Sequence, residues 1–275
     1  MPELPEVETI VRELNIAQIP GHTIKQAEVF WAKTIATPDV DTFCKTIVGQ
    51  KIVSISRRGK WIVFTLSRNI LLIHLRMTGK LFIDSLEERH QPYERVRLTL
   101  DDETELHYVD PRKFGKWSLL PKNSEILANV GVEPLSDDFA LKVFQDIIKN
   151  KKTRVKSLLL DQKYIAGLGN IYVDEALWES KVHPERRVDT LKPQEIKLLH
   201  KAIVNVLKGG VERRGTSFGT NKGNYANVSG KPGTNKSFLQ VFRKEGQPCP
   251  RCGETILKMV VSQRGTHICP HCQKV

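Results

Sequence analysis

Four of the five cysteines fall in two pairs, "CPRC" at 249–252 and "CPHC" at 269–272, which enclose 16 residues. Two C-x-x-C pairs at this spacing are the donor set of a tetrahedral zinc site built on the tips of two β-hairpins. Four sulfur ligands close the coordination sphere, so the metal folds the segment and leaves no open position for a substrate. The expected cofactor is one structural Zn2+ held by Cys249, Cys252, Cys269 and Cys272, with His271 a bystander. Between the pairs, "SQRGTHIC" sets Arg264 before a glycine, near the tip of a small hairpin. An arginine there reaches a phosphate or stays a solvated surface charge, and the spacing alone does not choose.

The opening "MPELPEVETI" is the second unusual stretch. Pro5 suits the first turn of a helix, and Glu6 and Glu8 suit the positive end of its dipole. Leu4, Val7, Val11 and Leu14 then mark one buried face. Helix formation leaves Pro2 and Glu3 without a role.

The elements that must carry these residues change in kind along the chain. Residues 22–120 read mainly as strands, among them "KIVSIS", "KWIVFTL", "NILLIHL", "RVRLTL" and "ELHYV", with "DDET" as a hairpin turn and "DVDTFCKTIV" as one helix. Short strands at close spacing predict a β-sandwich or barrel. Cys44, on the intervening helix, is expected to pack as a small hydrophobe. The polar stretch at 121–138 marks a boundary. Beyond it the period is helical, through "DFALKVFQDIIK", "TRVKSLLLDQ", "IYVDEALWES" and a long helix from Pro193 to Val211. "KYIAGLGN" joins the second and third of these, an outline shared by DNA-binding helix–turn–helix units and by ordinary helical hairpins. Residues 215–237 carry Gly, Asn, Ser and Thr with few aliphatic residues and read as a mobile loop.

Charge narrows the function. The 275 residues carry 43 Lys and Arg against 31 Asp and Glu, a net of +12. From Val206 onward there are 12 basic residues against three Glu, so the excess concentrates in the last quarter. A polyanionic partner, nucleic acid before membrane surface, follows from that balance. The most apolar run, "NILLIHLRM", falls far short of the roughly 20 residues a membrane span needs. With an acidic start and no basic-then-apolar leader, the chain is expected to be soluble and cytoplasmic.

Taken together, "PELPEVET", "SRRGKW", "HLRMTGK", "DPRKFG", "AGLGNIYVDEALW" and "QRGTHICPHCQ" resemble the formamidopyrimidine-DNA glycosylase family, in its order and spacing from residue 2 to residue 273. The resemblance implies an α+β, multidomain fold. It has an N-terminal β-sandwich with the catalytic helix (1–130), a helix–two-turn–helix domain including a lesion-recognition loop (131–237) and a zinc finger (238–275). It also gives Pro2 a role: once Met1 is removed, the proline amine is the nucleophile that attacks sugar C1′. Glu3 moves protons, and Glu6 supports it near the helix start.

The same resemblance implies further roles. Met77, Arg112 and Phe114 fill the gap left when the damaged nucleotide turns out of the duplex. Lys60, His74, Asn170 and Arg264 pin phosphates, with Lys60 and Arg264 counted among the catalytic residues beside Pro2 and Glu3, and Lys156 faces the same backbone. Asn170 stands where a helix N-terminus makes an anion site. Thr216, Ser217 and Tyr225 are the candidates for base contact, in a loop whose residues depart from the family's common pattern. The implied activity is removal of oxidised purines from double-stranded DNA by a monomer, with strand cleavage by β,δ-elimination and the DNA running across a cleft between the domains. Two alternatives remain: an endonuclease VIII-like preference for oxidised pyrimidines, which Leu4 disfavours, and a non-catalytic zinc-dependent binder of damaged DNA, which Pro2 and Glu3 disfavour.

Overall fold

The computed structural model describes residues 1–84, 87–219 and 225–275. Helix α1 (Leu4–Ile16) opens the chain, with Glu3 as N-cap and Pro5 in its first turn, where a missing N–H costs nothing. Strands β1 (Ile24–Val29) and β2 (Ile35–Thr37) precede α2 (Val40–Ile47). Asp39 caps α2 by accepting the Thr42 N–H at 3.0 Å. Seven strands follow: β3 (Ile52–Arg58), β4 (Trp61–Leu66), β5 (Asn69–His74), β6 (Lys80–Ile83), β7 (Glu94–Leu100), β8 (Glu105–Val109) and β9 (Lys116–Pro121).

They form two sheets. One has the order β1-β7-β8-β6 and the other β2-β9-β5-β4-β3. Leu98 and Leu106 from the first sheet, Phe64, Leu71 and Trp117 from the second, and Val7, Ile10 and Leu14 from α1 share one buried cluster. That is the expected sandwich, with α1 packed into the same core. Cys44 is only half buried, against the same cluster.

A second compact unit holds α3 (Leu141–Ile148), α4 (Val155–Leu160), α5 (Asn170–Glu179), α6 (Pro193–Glu212) and the hairpin β10 (Leu257–Val261) and β11 (Arg264–Ile268). Seven of the ten residues of α5 are buried, including Asp174 and Glu175. Glu175 is satisfied by three backbone donors, the N–H groups of Gln240, Val241 and Phe242 at 2.8–3.0 Å, although burial pushes its carboxyl up. Among the described residues, no helix is long and apolar enough to cross a membrane.

The two compact units are not consecutive along the chain. Arg213–Lys236 belong to the unit of Met1–Ala128, and Ser237–Val275 to the unit of Asn129–Glu212. The reason is hydrogen bonding that composition does not reveal. Two α1 carboxylates hold the 213–236 segment: Glu6 Oε1 accepts the Thr216 N–H at 2.7 Å, and Glu13 accepts the Asn227 amide at 2.9 Å and the Val228 N–H at 3.2 Å.

Candidate active site and nucleic-acid interface

The first unit brings Pro2, Glu3 and Glu6 to the head of α1. Pro2 is buried, and Glu3 is 2% exposed. Glu3 and Glu6 form a reciprocal capping box, in which the Glu6 carboxylate accepts the Glu3 N–H at 2.7 Å. Glu6 therefore holds two segments at once, through the Glu3 and Thr216 amides. While Met1 is attached, the Pro2 nitrogen is an amide without a usable lone pair. Only its removal would create a secondary amine beside the Glu3 carboxylate.

Next to α1, the β3–β4 hairpin turns at Gly59 and Lys60, and Lys60 is buried although it lies in a turn. Glu8 braces this hairpin by accepting Arg57 Nε at 2.9 Å and Arg12 Nε at 2.8 Å. Burial opposes ionisation of Glu8, but the two guanidinium groups prevail and hold its carboxyl below the usual range. His74 pairs across the ladder with Trp61, whose ring meets it edge-on at 4.7 Å.

Burial, with the positive charges of Arg76 and Lys60, pushes His74 down to about 3. The neutral ring accepts the Arg76 N–H on Nδ1 at 3.0 Å, which leaves Nε2 as the protonated nitrogen. His74 is therefore a neutral ring with its Nε2–H left to donate, and not a cation. Its NMR ring resonances are expected to stay flat from pH 8 to pH 5. The sign follows from linkage: an unfolded histidine takes up its proton near pH 6.5, so this group destabilises the fold as pH falls from there toward 3. A midpoint near 6.5 in the folded protein would contradict the assignment.

Met77, Arg112 and Phe114 come from two separate loops yet meet at one place. Arg112 Nη1 approaches Met77 Sδ at 3.1 Å, and the guanidinium lies over the Phe114 ring at 4.7 Å. Met77 is 40% exposed and Phe114 48% exposed, which is unusual for an apolar pair on a sandwich edge. Read alone, both would have been assigned to the core.

The segment expected to be a mobile lesion loop is, where described, packed on α1. Thr216, Ser217 and Tyr225, the candidates for base contact, are all buried. The Thr216 hydroxyl accepts the Asn235 amide at 2.9 Å. The Ser217 hydroxyl donates to the Tyr225 carbonyl at 2.8 Å and accepts the Gly233 N–H at 2.9 Å. Tyr225 sits in the sandwich core, where burial and the charge of Glu6 push its phenol well up. The stretch 220–224 lies outside the described residues.

In the second unit the four cysteine sulfurs lie within 4.8 Å of one another. Cys252 Sγ is 3.4 Å from Cys269 Sγ and 3.5 Å from Cys272 Sγ. Zinc–sulfur bonds of about 2.3 Å would give tetrahedral edges of about 3.8 Å, so the tetrad fits one ion with small adjustments. Burial pushes the Cys269 thiol up, to about 12, and the Cys272 thiol up as well. Cys249, also buried, is nonetheless drawn down to about 6 by N–H donors from the Trp178 ring and from Arg251 and Cys252. Only a cation at the centre would favour ionising all four.

Lys156 is the clearest departure from expectation. Its side chain is fully buried (0% exposed) and does not face a solvent-side phosphate. Nζ donates to Asp174 Oδ1 at 2.5 Å and Thr266 Oγ1 at 2.8 Å, and Asp174 Oδ2 accepts the His267 N–H at 2.9 Å. The lysine thus fastens α4 and α5 to β11, a role its flanking sequence did not signal. Asn170 Nδ2 donates to the Gly265 carbonyl at 2.8 Å, so the head of α5 and the exposed Arg264 share one place. The β10–β11 turn has positive φ at both Ser262 and Gln263, the tight geometry that hairpins prefer.

Residues 1–117 match the family profile described as Formamidopyrimidine-DNA glycosylase N-terminal domain, residues 130–222 the Formamidopyrimidine-DNA glycosylase H2TH domain, and residues 246–275 the Zinc finger found in FPG and IleRS. The formamidopyrimidine-DNA glycosylase of Protochlamydia amoebophila is 46% identical over 275 residues, all of both chains. That of Enterococcus faecalis is 46% identical over 280 residues, covering 100% of this chain and 98% of its own. A Lactococcus lactis FPG variant solved in complex with a Fapy-dG containing DNA is 37% identical, with a TM-score of 0.90 over 100% of both chains.

Proposed function

The chain belongs to the formamidopyrimidine-DNA glycosylase family, and from that premise we propose that it excises oxidised purines from duplex DNA through an iminium on Pro2. The observation that carries the reading is the head of α1, where Pro2 and Glu3 are adjacent, buried and fixed by the Glu6 cap. With Met1 removed, the Pro2 nitrogen attacks sugar C1′, and the C1′–N bond to the base breaks. The attached nitrogen gives up its N–H proton, which neutralises the departing base; Glu3 then delivers a proton to the ring oxygen, the ring opens, and the freed nitrogen lone pair completes an N=C1′ iminium. The iminium acidifies C2′. Loss of that proton expels the 3′ phosphate, and a second elimination expels the 5′ phosphate. Hydrolysis then returns the amine.

The remaining residues hold the substrate. The His74 donor, Lys60 and Arg264 suit phosphate contacts, and the exposed Met77, Arg112 and Phe114 suit the space vacated by the turned-out nucleotide. Zinc, once bound, supplies a cross-link and no chemistry, because its four sulfur ligands leave no open site.

Borohydride trapping tests the reading. Reduction should link the protein covalently to a duplex carrying 8-oxoguanine, with the adduct mapped to Pro2 and an intact mass lacking Met1. Trapping on thymine glycol in preference to 8-oxoguanine would favour oxidised pyrimidines. Full activity in a preparation that retains Met1 would remove Pro2 from the mechanism.

A further inference from the structure

The wedge formed by Met77, Arg112 and Phe114 stands on two loops that have no reason of their own to agree. Residues 75–79 run from β5 in the five-stranded sheet to β6 in the four-stranded sheet, and residues 110–115 run back from β8 to β9. Because β5 pairs with β9 and β6 with β8, both loops cross the same edge of the sandwich. Topology makes them neighbours; it does not set the side chains that they present.

One carboxylate does join them. Asp110 is 1% exposed; one of its oxygens reaches across to the other loop and both close its own. Oδ1 accepts the Thr78 hydroxyl at 2.5 Å and the Arg112 N–H at 3.2 Å, while Oδ2 accepts the Gly115 N–H at 2.7 Å. Its own backbone is held as well: the carbonyl accepts Arg95 Nε at 3.0 Å and the Lys113 N–H at 3.2 Å, and the N–H donates to the Tyr93 carbonyl at 2.9 Å. Thr78 directly follows Met77, and Arg112 and Gly115 bracket Phe114.

The surroundings leave little slack. Both loops close on the buried Tyr108, and a Cβ at Gly79 or Gly115 would fall 2.5 Å or 1.5 Å from its hydroxyl. Between them, Lys113 takes positive φ and lays its ammonium over the Trp31 ring at 3.7 Å. A buried carboxylate that accepts from both loops gives each the other as a reference.

We propose that Asp110, through Thr78 and the Arg112 and Gly115 amides, is the positioning residue that presets Met77, Arg112 and Phe114 as one wedge before DNA arrives. The proposal rests on the wedge reading of those three residues. Asp110 touches no reacting atom, so its effect falls on separation of the damaged base from its partner. Asn at 110 keeps the shape but sets an NH2 against the Gly115 or the Arg112 N–H, so the loop that carries Arg112 and Phe114 loses one of its ties.

The test compares 8-oxoguanine placed opposite cytosine with the same lesion opposite an abasic analogue, where no partner base must be displaced. Asp110→Asn should lower single-turnover excision on the paired duplex by about tenfold or more, the rate equivalent of one charge-assisted hydrogen bond, with a much smaller change on the unpaired one. A 2-aminopurine beside the lesion should report slower wedge insertion in stopped flow. Thr78→Val should reproduce a weaker form of this split and Thr78→Ser should restore it, which keeps the test decisive if the Asp110 variant folds poorly. Met77→Ala and Phe114→Ala separate the two readings. If they split the substrates while Asp110→Asn and Thr78→Val do not, or lower both equally, Asp110 is merely structural. If Met77→Ala and Phe114→Ala show no split either, the wedge itself is wrong and the proposal falls with it.

Discussion

Glu3→Gln should cut single-turnover excision of 8-oxoguanine by at least ~10²-fold while leaving duplex affinity intact, because the substitution removes a transferable proton and little else. Glutamine has the length of glutamate and keeps a carbonyl that can accept the first-turn N–H, so the capping box survives in outline. The Glu6 contacts to the Glu3 and Thr216 amides use backbone donors and remain possible. Melting temperature and affinity therefore serve as internal controls. Excision at the normal rate would show that the ring-oxygen proton comes from elsewhere. Loss of activity together with loss of binding would instead make Glu3 a scaffold residue.

Removal of zinc should have an effect of comparable size by a different route. The buried cluster of the finger consists of Val241, Ile256, Cys249 and Cys269, with Trp178 and Cys272 against it. A core in which two of four buried residues are metal ligands cannot hold its shape by apolar burial, so the hairpin bearing Arg264 should unfold on chelation. The sandwich has a separate and much larger core and should keep its near-ultraviolet circular dichroism. Anisotropy on a lesion duplex should then show affinity lost on chelation and regained with added Zn2+. Arg264→Ala should weaken binding more gently and reduce the slope of log affinity against log salt by about 0.9, one phosphate contact. Tight duplex binding by the chelated protein would reduce the finger to a folding staple.

The site is legible in the sequence where its chemistry is local. Pro2, Glu3 and Glu6 lie within one turn of α1, and the capping box needs no distant partner. Each cysteine pair spans four positions, and both pairs can be read directly in the chain. Most strands and helices follow from local periodicity too, since residues two or three to four apart share a face whatever surrounds them. The surroundings of Lys156 and of the loop residues were not legible, for the opposite reason. Lys156, Tyr225 and Ser217 have side chains that suit solvent or DNA equally well, and their partners lie far away in the chain or across a fold.

Sequence alone thus determined the groups available to this protein: the order of its elements, a four-cysteine metal site, and a proline and a glutamate side by side at the start of a helix. Tertiary structure decided which charges are spent inside. It buried Lys156 against Asp174, turned the 213–236 segment back onto Glu6 and Glu13, and placed Asp110 between two loops. The physical reason is desolvation. A buried charge or amide persists only where a specific partner meets it, and whether two groups far apart in the chain meet is settled by packing, not by the residues beside them.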